Sequence, residues 1–247
     1  MLAFRLAAPG TLVDLRRIPD LDRIEVDASG VRLGAKVRWR DIQDDARLAT
    51  AHPLLAAAIA HVAHYQIRNR GTVGGSMAHA DPAAEMPGIA VACDARLVLA
   101  GASGTRTVPA AGFFTGALST QLASDELIVE VRLPAWPAAR RWAFEEFAQR
   151  RGDFALAGVA VFYDPDAEGR ATNTHIGVIG ACSRPQRVRA AEAALDGRRV
   201  DAAAIKEASA ALSAAVDPAD DLHASAAYRR ALAGTLLGRA LARAAAG

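Results

Sequence analysis

Apolar and polar residues alternate along Ile24-Glu-Val-Asp-Ala-Ser-Gly-Val-Arg-Leu-Gly34, the two-residue period of half-buried strands, and Ser29-Gly30 supplies a turn between the arms. The stretch predicts a β-hairpin. Leu97-Val-Leu and Thr107-Val108 flank Gly101 to Gly104 and predict a second one. Thr11 to Leu15 is a short apolar strand candidate. Pro53 opens a helix at its first turn, where the missing N–H costs nothing. Leu54, Leu55, Ala58, Ile59 and Val62 then recur at helical spacing, and the helix is expected to reach about His64. A second, Ala-rich helix is expected toward Val91, and Glu126 to Leu133 reads as a strand stopped by Pro134.

Pro134 and Pro137 interrupt regular structure and make the best domain boundary in the chain, dividing it into residues 1–136 and 137–247. Beyond them, Trp142 to Phe147, Ala155 to Tyr163 and Thr174 to Gly180 predict three strands. Helices are expected over Arg187 to Leu195, Ala202 to Ala215 and Ser225 to Ala245, the last with Tyr228, Leu232, Leu236, Leu237 and Leu241 on one face. Strands followed by a run of helices place the fold in the α+β class.

The 247 residues are 52% hydrophobic and 23% charged, ordinary for a globular chain with an adequate core. A net charge of +2 without a Lys/Arg run gives no electrostatic footprint for nucleic acid. No stretch approaches the roughly 18 apolar residues of a membrane span. The Met1-Leu-Ala-Phe-Arg-Leu start does not read as a signal peptide, so a cytoplasmic location is expected. Cys93 and Cys182 are the only cysteines and are too few for an iron–sulfur cluster within this chain. Redox chemistry here requires an organic cofactor.

The candidate chemistry lies in Gln66-Ile-Arg-Asn-Arg-Gly71-Thr-Val-Gly74-Gly75-Ser-Met-Ala-His-Ala-Asp81-Pro-Ala-Ala-Glu85-Met-Pro87. Three glycines within five residues let a backbone turn sharply and approach a ligand. Consecutive N–H groups in such a turn bind anions, and a following helix adds its positive dipole end. The Thr72 and Ser76 hydroxyls add donors; Arg68 and Arg70 add charge or merely fix the loop. Asp81 and Glu85 suit sugar hydroxyls better than phosphates. A plain structural turn is the competing reading. Gly-x-Gly-x-x-Gly and Gly-Lys-Ser/Thr signatures are absent from the string, which disfavours a nicotinamide or P-loop site. His61 and His64 stand one helical turn apart, but no third ligand is visible and no metal site is expected.

The string closely resembles the second flavin loop of the medium subunit of molybdenum hydroxylases, the group that includes carbon monoxide dehydrogenase and xanthine dehydrogenase. Phe4 to Leu15, Gln149-Arg-Arg-Gly-Asp153-Phe-Ala-Leu and Ser225 to Leu232 extend the resemblance across the chain. It implies a PCMH-type FAD-binding domain, N-terminally incomplete in this sequence. A C-terminal flavoprotein domain with a three-stranded antiparallel sheet and helices follows. Thr72, Val73, Gly74, Gly75 and Ser76 would hold the FAD pyrophosphate, and Glu85 would contact the sugar chain. Ile128 and Glu146 fall near flavin-touching positions, through the main chain if at all. Asp153 and Phe154 lie near the isoalloxazine ring or form a turn and a core aromatic.

Such subunits work with a small subunit carrying two [2Fe–2S] clusters and a large molybdopterin subunit. The flavin passes electrons to an external acceptor. No catalytic residue is required in this chain. The family's first flavin loop, Ala-Gly-Gly-x-Ser, is expected just upstream of Met1, so this sequence would hold one half of the FAD site. The alternative is a flavin-free subunit that scaffolds the same complex.

Overall fold

The structure, a computed structural model, describes residues 4–247; Met1-Leu-Ala of the N-terminal stretch lies outside them. After a 3-10 turn at Leu15–Arg17 come strands β1 (Ile24–Asp27) and β2 (Gly30–Gly34). Six short helices follow: α1 (Trp39–Asp44), α2 (Leu48–Ala51), α3 (Pro53–Ile59), α4 (Tyr65–Arg68), α5 (Val73–His79) and α6 (Glu85–Ala92). The chain then forms β3 (Arg96–Gly101), β4 (Gly104–Pro109), α7 (Ala110–Phe113), the β5/β6 ribbon (Phe114–Gly116, Ser119–Thr120) and β7 (Leu127–Pro134). The remainder comprises β8 (Arg141–Phe147), β9 (Ala157–Pro165), β10 (Ala171–Ile179), β11 (Gln186–Arg187), α8 (Arg189–Ala193), α9 (Ala202–Ala215) and α10 (Ala226–Ala246).

The first sheet has five antiparallel strands in the order β1-β2-β7-β3-β4, so the two predicted hairpins flank the predicted strand at Glu126. The first hairpin turns on Ala28-Ser29, where Asp27 Oδ1 accepts from Ser29 N–H at 2.7 Å. Gly30 opens β2 at φ +129°, and a Cβ there would lie 2.1 Å from the Leu133 carbonyl oxygen, so glycine is required.

The second sheet is a meander with one addition, β11-β10-β9-β8. Its two faces are both buried, and alternation along β9 separates them. Ala160 and Phe162 join the core of α3, α6 and the first sheet. Val159, Val161 and Tyr163 face α9 and α10 with Leu212, Leu236, Leu237 and Leu241. Helix α6 is buried from Met86 to Ala92 and lies in the seam between the sheets. Small residues set that distance. A Cβ on Gly88 would meet Ile179 Cγ2 at 2.4 Å, and one on Gly177 would meet Ala92 Cβ at 2.6 Å. Across the seam Gly180 N–H donates to the Pro82 carbonyl (2.9 Å), and Arg187 Nη1 bridges both oxygens of Asp94 at 2.9 and 2.8 Å.

Several expectations are corrected. Thr11 to Leu15 is no strand: Leu12 and Val13 are exposed, and Asp14 accepts from Arg16 N–H, a local bond that starts the 3-10 turn instead. Helix α3 ends at Ile59 rather than near His64, because Ala63 adopts φ +39°. The C-terminal sheet has four strands, since Gln186–Arg187 pairs with β10 over a length too short to show a period. Tyr228 is exposed, and Arg229 takes the inward position at the start of α10.

The close approach of α6 to the second sheet generates a prediction. Gly177→Val should lower the urea midpoint by an overpacking cost of about 1–3 kcal/mol with little change in slope. An unchanged midpoint would show that the seam is looser than the 2.6 Å approach implies.

Candidate functional site

The glycine string is not an open loop but the entry to α5. Thr72 is its N-cap, with Oγ1 accepting from Gly75 N–H at 3.2 Å. Arg38 and Thr72 form an antiparallel bridge that ties this entry to the segment after β2. Val73 N–H donates to the Val37 carbonyl and Gly74 N–H to that of Ala35, both at 2.9 Å. Ser76 N–H donates to the Thr72 carbonyl at 3.0 Å. The amides of residues 73–76 are therefore engaged by the protein itself. What the turn offers a ligand is the hydroxyls of Thr72 and Ser76, the dipole end of α5, and room.

Each glycine has its own reason. Gly71 lets Trp39 Nε1 approach within 2.6 Å of where a Cβ would sit, and Gly74 does the same for Ala35 Cβ at 2.6 Å. Gly75 differs: it is exposed, and a Cβ there would meet only Thr72 Oγ1, at 2.9 Å. Its open face lets a ligand reach the backbone. Arg68 does not supply free charge, because Nη1 donates to the Val62 and Ala63 carbonyls at 2.8 Å each and fixes the turn before α4.

The exposed face of α5 carries Gly75, Ala78 and His79. The helix is about 10 Å long. It ends on Ala80 in the left-handed conformation, and Asp81, Pro82 and Ala83 then line a cavity of about 950 Å3. The opposite wall comes from residues after Pro137: Gln149, Arg150 and Gly152 to Leu156, Gly180, Cys182, Ser183, and parts of the 217–229 segment. Asp153 and Phe154 are both in this wall, and Phe154 is 68% exposed rather than a core aromatic. Arg229 was not foreseen. It is buried, with Nη1 donating to the Leu156 and Gly180 carbonyls at 2.8 Å and Nη2 to Asp221 at 2.7 Å. It braces the wall from residues far apart in sequence, so no local pattern marks it.

Two acidic residues at the seam are largely shielded from water. Glu146 in β8 has a side chain 5% exposed, and its Oε2 is buried without a hydrogen-bond partner. Burial, with the Glu85 charge adding to it, pushes its carboxyl up to about 8. Glu85, in the first turn of α6, is raised to about 7 by burial and by Asp81. His61 Nδ1 lies 3.9 Å from Glu146 Oε1, and burial lowers its basicity. The His61 ring packs edge-on against Phe144, with centroids 5.1 Å apart. His64 packs instead against Gly152, where a Cβ would be 2.4 Å from its ring. Ile128 is 6% exposed in the first core and is not among the cavity-lining residues.

Comparisons with known proteins complete the picture. Residues 1–136 match the family model of the FAD binding domain in molybdopterin dehydrogenase, and residues 142–244 match that of the CO dehydrogenase flavoprotein C-terminal domain. The chain is 39% identical over 241 residues to the nicotine 6-hydroxylase medium subunit of Paenarthrobacter nicotinovorans, covering 98% of this chain and 84% of the relative. It is 37% identical to the carbon monoxide dehydrogenase medium chain of Hydrogenophaga pseudoflava, with the same coverage. Among solved structures, carbon monoxide dehydrogenase from that organism superposes with a TM-score of 0.94 at 40% identity, covering 98% of this chain and 84% of the other. Quinoline 2-oxidoreductase from Pseudomonas putida 86 gives 0.94 at 35% identity, covering 100% and 85%.

The chain belongs to the FAD-binding medium subunits of the molybdenum hydroxylases, so it is an oxidoreductase component of α+β fold whose cofactor is FAD. The residues present fit that cofactor: the open Gly75 face, two hydroxyls beside it, and a large cavity at the far end of α5.

The raised carboxyls set a pH dependence. Their folded values exceed the ordinary 4.5, so the unfolded chain binds fewer protons between that value and about 8. Stability is then lost as pH rises through that window. Glu146→Gln should flatten the fall in melting temperature between pH 5 and about pH 8. Parallel profiles for parent and variant would show that Glu146 is ionised in the fold.

Proposed function

We propose that this chain is the electron-transfer flavoprotein of a molybdenum hydroxylase heterotrimer in the cytoplasm. It takes electrons from the [2Fe–2S] clusters of a small partner subunit and passes them to an external acceptor. A large molybdopterin subunit performs the hydroxylation. The observation that carries this reading is the exposed face of α5 from Gly75 to His79, which leads into the turn at Asp81 to Ala83 that lines the cavity. It suits an elongated dinucleotide better than a compact substrate. Within this reading, residues 1–136 form the FAD-binding domain and 137–247 the domain that closes the cavity.

FAD supplies the exchange between single electrons and electron pairs. The chain positions and insulates it. Thr72 and Ser76 would donate hydroxyl hydrogens to the pyrophosphate, and the positive end of α5 would stabilise its charge. Gly75 lets the phosphates approach, while Val73 and Gly74 hold the turn by bonding to Val37 and Ala35. Glu85, carrying a proton near neutrality, can donate to the sugar chain as well as accept from it. Ile128 and Glu146 contribute through main-chain position. Phe154 offers an apolar face to the ring system, and the Arg229 brace keeps its wall in place.

Substrate choice belongs to the large subunit. Relatives 35–39% identical to this chain are named for nicotine, carbon monoxide and caffeine, so similar medium subunits accompany very different substrates. The flavin-free scaffold remains the second reading, favoured by the engagement of the four amides at 73–76.

Visible absorbance after gel filtration with added FAD separates the two. The parent chain should retain flavin, and Gly75→Val should bind it about tenfold more weakly or worse, a loss of about 1.4 kcal/mol. The folding cost of that variant is confined to the Thr72 cap, about 1 kcal/mol. Equal flavin content in a folded Gly75→Val variant would refute the assignment of the α5 entry.

A further inference from the structure

The loop between β8 and β9, from Gln149 to Leu156, supplies much of one cavity wall. Within it Asp153 N–H donates to the Arg150 carbonyl at 3.1 Å, and Leu156 N–H closes the loop on the Phe147 carbonyl at 2.8 Å. Phe154 is 68% exposed, so core packing does not place its ring. Placement falls to the two ends of the loop. At one end Arg229 Nη1 donates to the Leu156 carbonyl at 2.8 Å. At the other end is Gly152, with φ +91°. A Cβ on Gly152 would lie 2.4 Å from His64 Cε1 and Nδ1 and 2.9 Å from the Ala63 carbonyl oxygen. Only glycine fits there, and the Ala63–His64 turn is the surface against which the loop rests.

That turn is itself held in place. Ala63 has φ +39°, a region that residues with a Cβ rarely adopt and keep only where their surroundings enforce it. Arg68 supplies the enforcement: its Nη1 donates to the Val62 and Ala63 carbonyls at 2.8 Å each, and bonds from a charged donor are the stronger kind. The Ala63 oxygen therefore faces Arg68 and Gly152 together. His64 is the N-cap residue of α4, and its carbonyl accepts from Ile67 N–H at 3.0 Å and Arg68 N–H at 2.9 Å. The backbone that carries the His64 ring is thus anchored to the helix that carries Arg68. Gly71 N–H donates to the Ile67 carbonyl at 2.7 Å, which joins the same helix to the α5 entry.

We propose that Arg68 is a positioning residue for the cofactor: it holds the Ala63–His64 turn, the turn seats Gly152, and Gly152 sets the Asp153–Phe154 edge of the cavity against the isoalloxazine ring. The proposal rests on the reading of that cavity as the FAD site. Arg68 is not among the cavity-lining residues, so it acts through the turn and the loop. The guanidinium of the glycine string serves the ring end of the site, because it is turned to two carbonyls rather than to a phosphate.

The test uses the full chain without and with FAD. In the flavin-free chain, hydrogen–deuterium exchange over residues 149–155 should rise several-fold in Arg68→Ala, while exchange in β9 and β10 stays at the parent level. With FAD added, the visible circular dichroism of the flavin should shift in Arg68→Ala and in Phe154→Ala. The double variant should shift no further than Phe154→Ala alone, since both changes act through one ring. Arg68→Lys, whose ammonium can donate to both carbonyls, should fall between the parent and Arg68→Ala. Should Arg68→Ala not fold, His64→Ala removes the ring behind Gly152 at an exposed position and should give the same two changes. A purely structural role would lower the melting temperature and leave loop exchange and flavin spectrum at the parent values, which would overturn the proposal. Additive spectral shifts in the double variant would also overturn it. Unchanged loop exchange in a chain that retains FAD would remove the positioning role alone. Raised loop exchange in a chain that retains no FAD would overturn the link to the cofactor together with the function proposed above.

Discussion

The close seating of α6 between the two sheets is the constraint on which the remaining architecture depends. The helix has no solvent face from Met86 to Ala92, so it must be matched on both sides. It reaches the second sheet only because Gly88 and Gly177 carry no side chain where Ile179 and Ala92 press in. Once that distance is set, the Pro82 carbonyl meets Gly180 N–H, and the segment from Asp81 to Ala83 faces Phe154 across a cavity. The same seating packs α6 against β9 and β10. The cavity is thus a consequence of that packing. Dispersion and apolar burial hold the seam, while the Arg187–Asp94 pair fixes its lateral position.

The route from Gly75 to the cavity separates structural from functional glycines. Gly71 and Gly74 are needed for close packing against Trp39 and Ala35, and Gly75 is the exposed one. A structural turn and an open backbone face therefore coexist in the same five residues. The amides of 73–76 do not point to a phosphate, because β-type pairing and the Thr72 cap use them. In the reading proposed above, recognition at this end falls to hydroxyls and to the helix dipole.

Much of this was legible in the sequence, and for identifiable reasons. Period-two alternation located the first hairpin, the glycines at 101 and 104 the second, and Pro134 the end of β7; Pro53 located the start of α3, and Asp201 and Ser225 cap α9 and α10 where the pattern placed helices. The quoted motif located the α5 entry. What was missed depends on contacts between distant residues. Thr11 to Leu15 is apolar enough for a strand but finds none to pair with. β11 is two residues long and exists only as an edge of β10. Glu85 and Glu146 read in the sequence as separate contact positions, and only the fold shows that both carboxyls are shielded from water. Arg229 took the inward place that hydrophobicity assigned to Tyr228, because two backbone carbonyls needed a donor there.

The most direct test of the account is a crystal structure of the chain with FAD bound. The account predicts the pyrophosphate over Gly75 with Thr72 and Ser76 hydroxyls in contact, and the isoalloxazine ring in the cavity beside Asp81, Asp153 and Phe154. Flavin density at any other place on the molecule, with the Gly75 face bare, would contradict it.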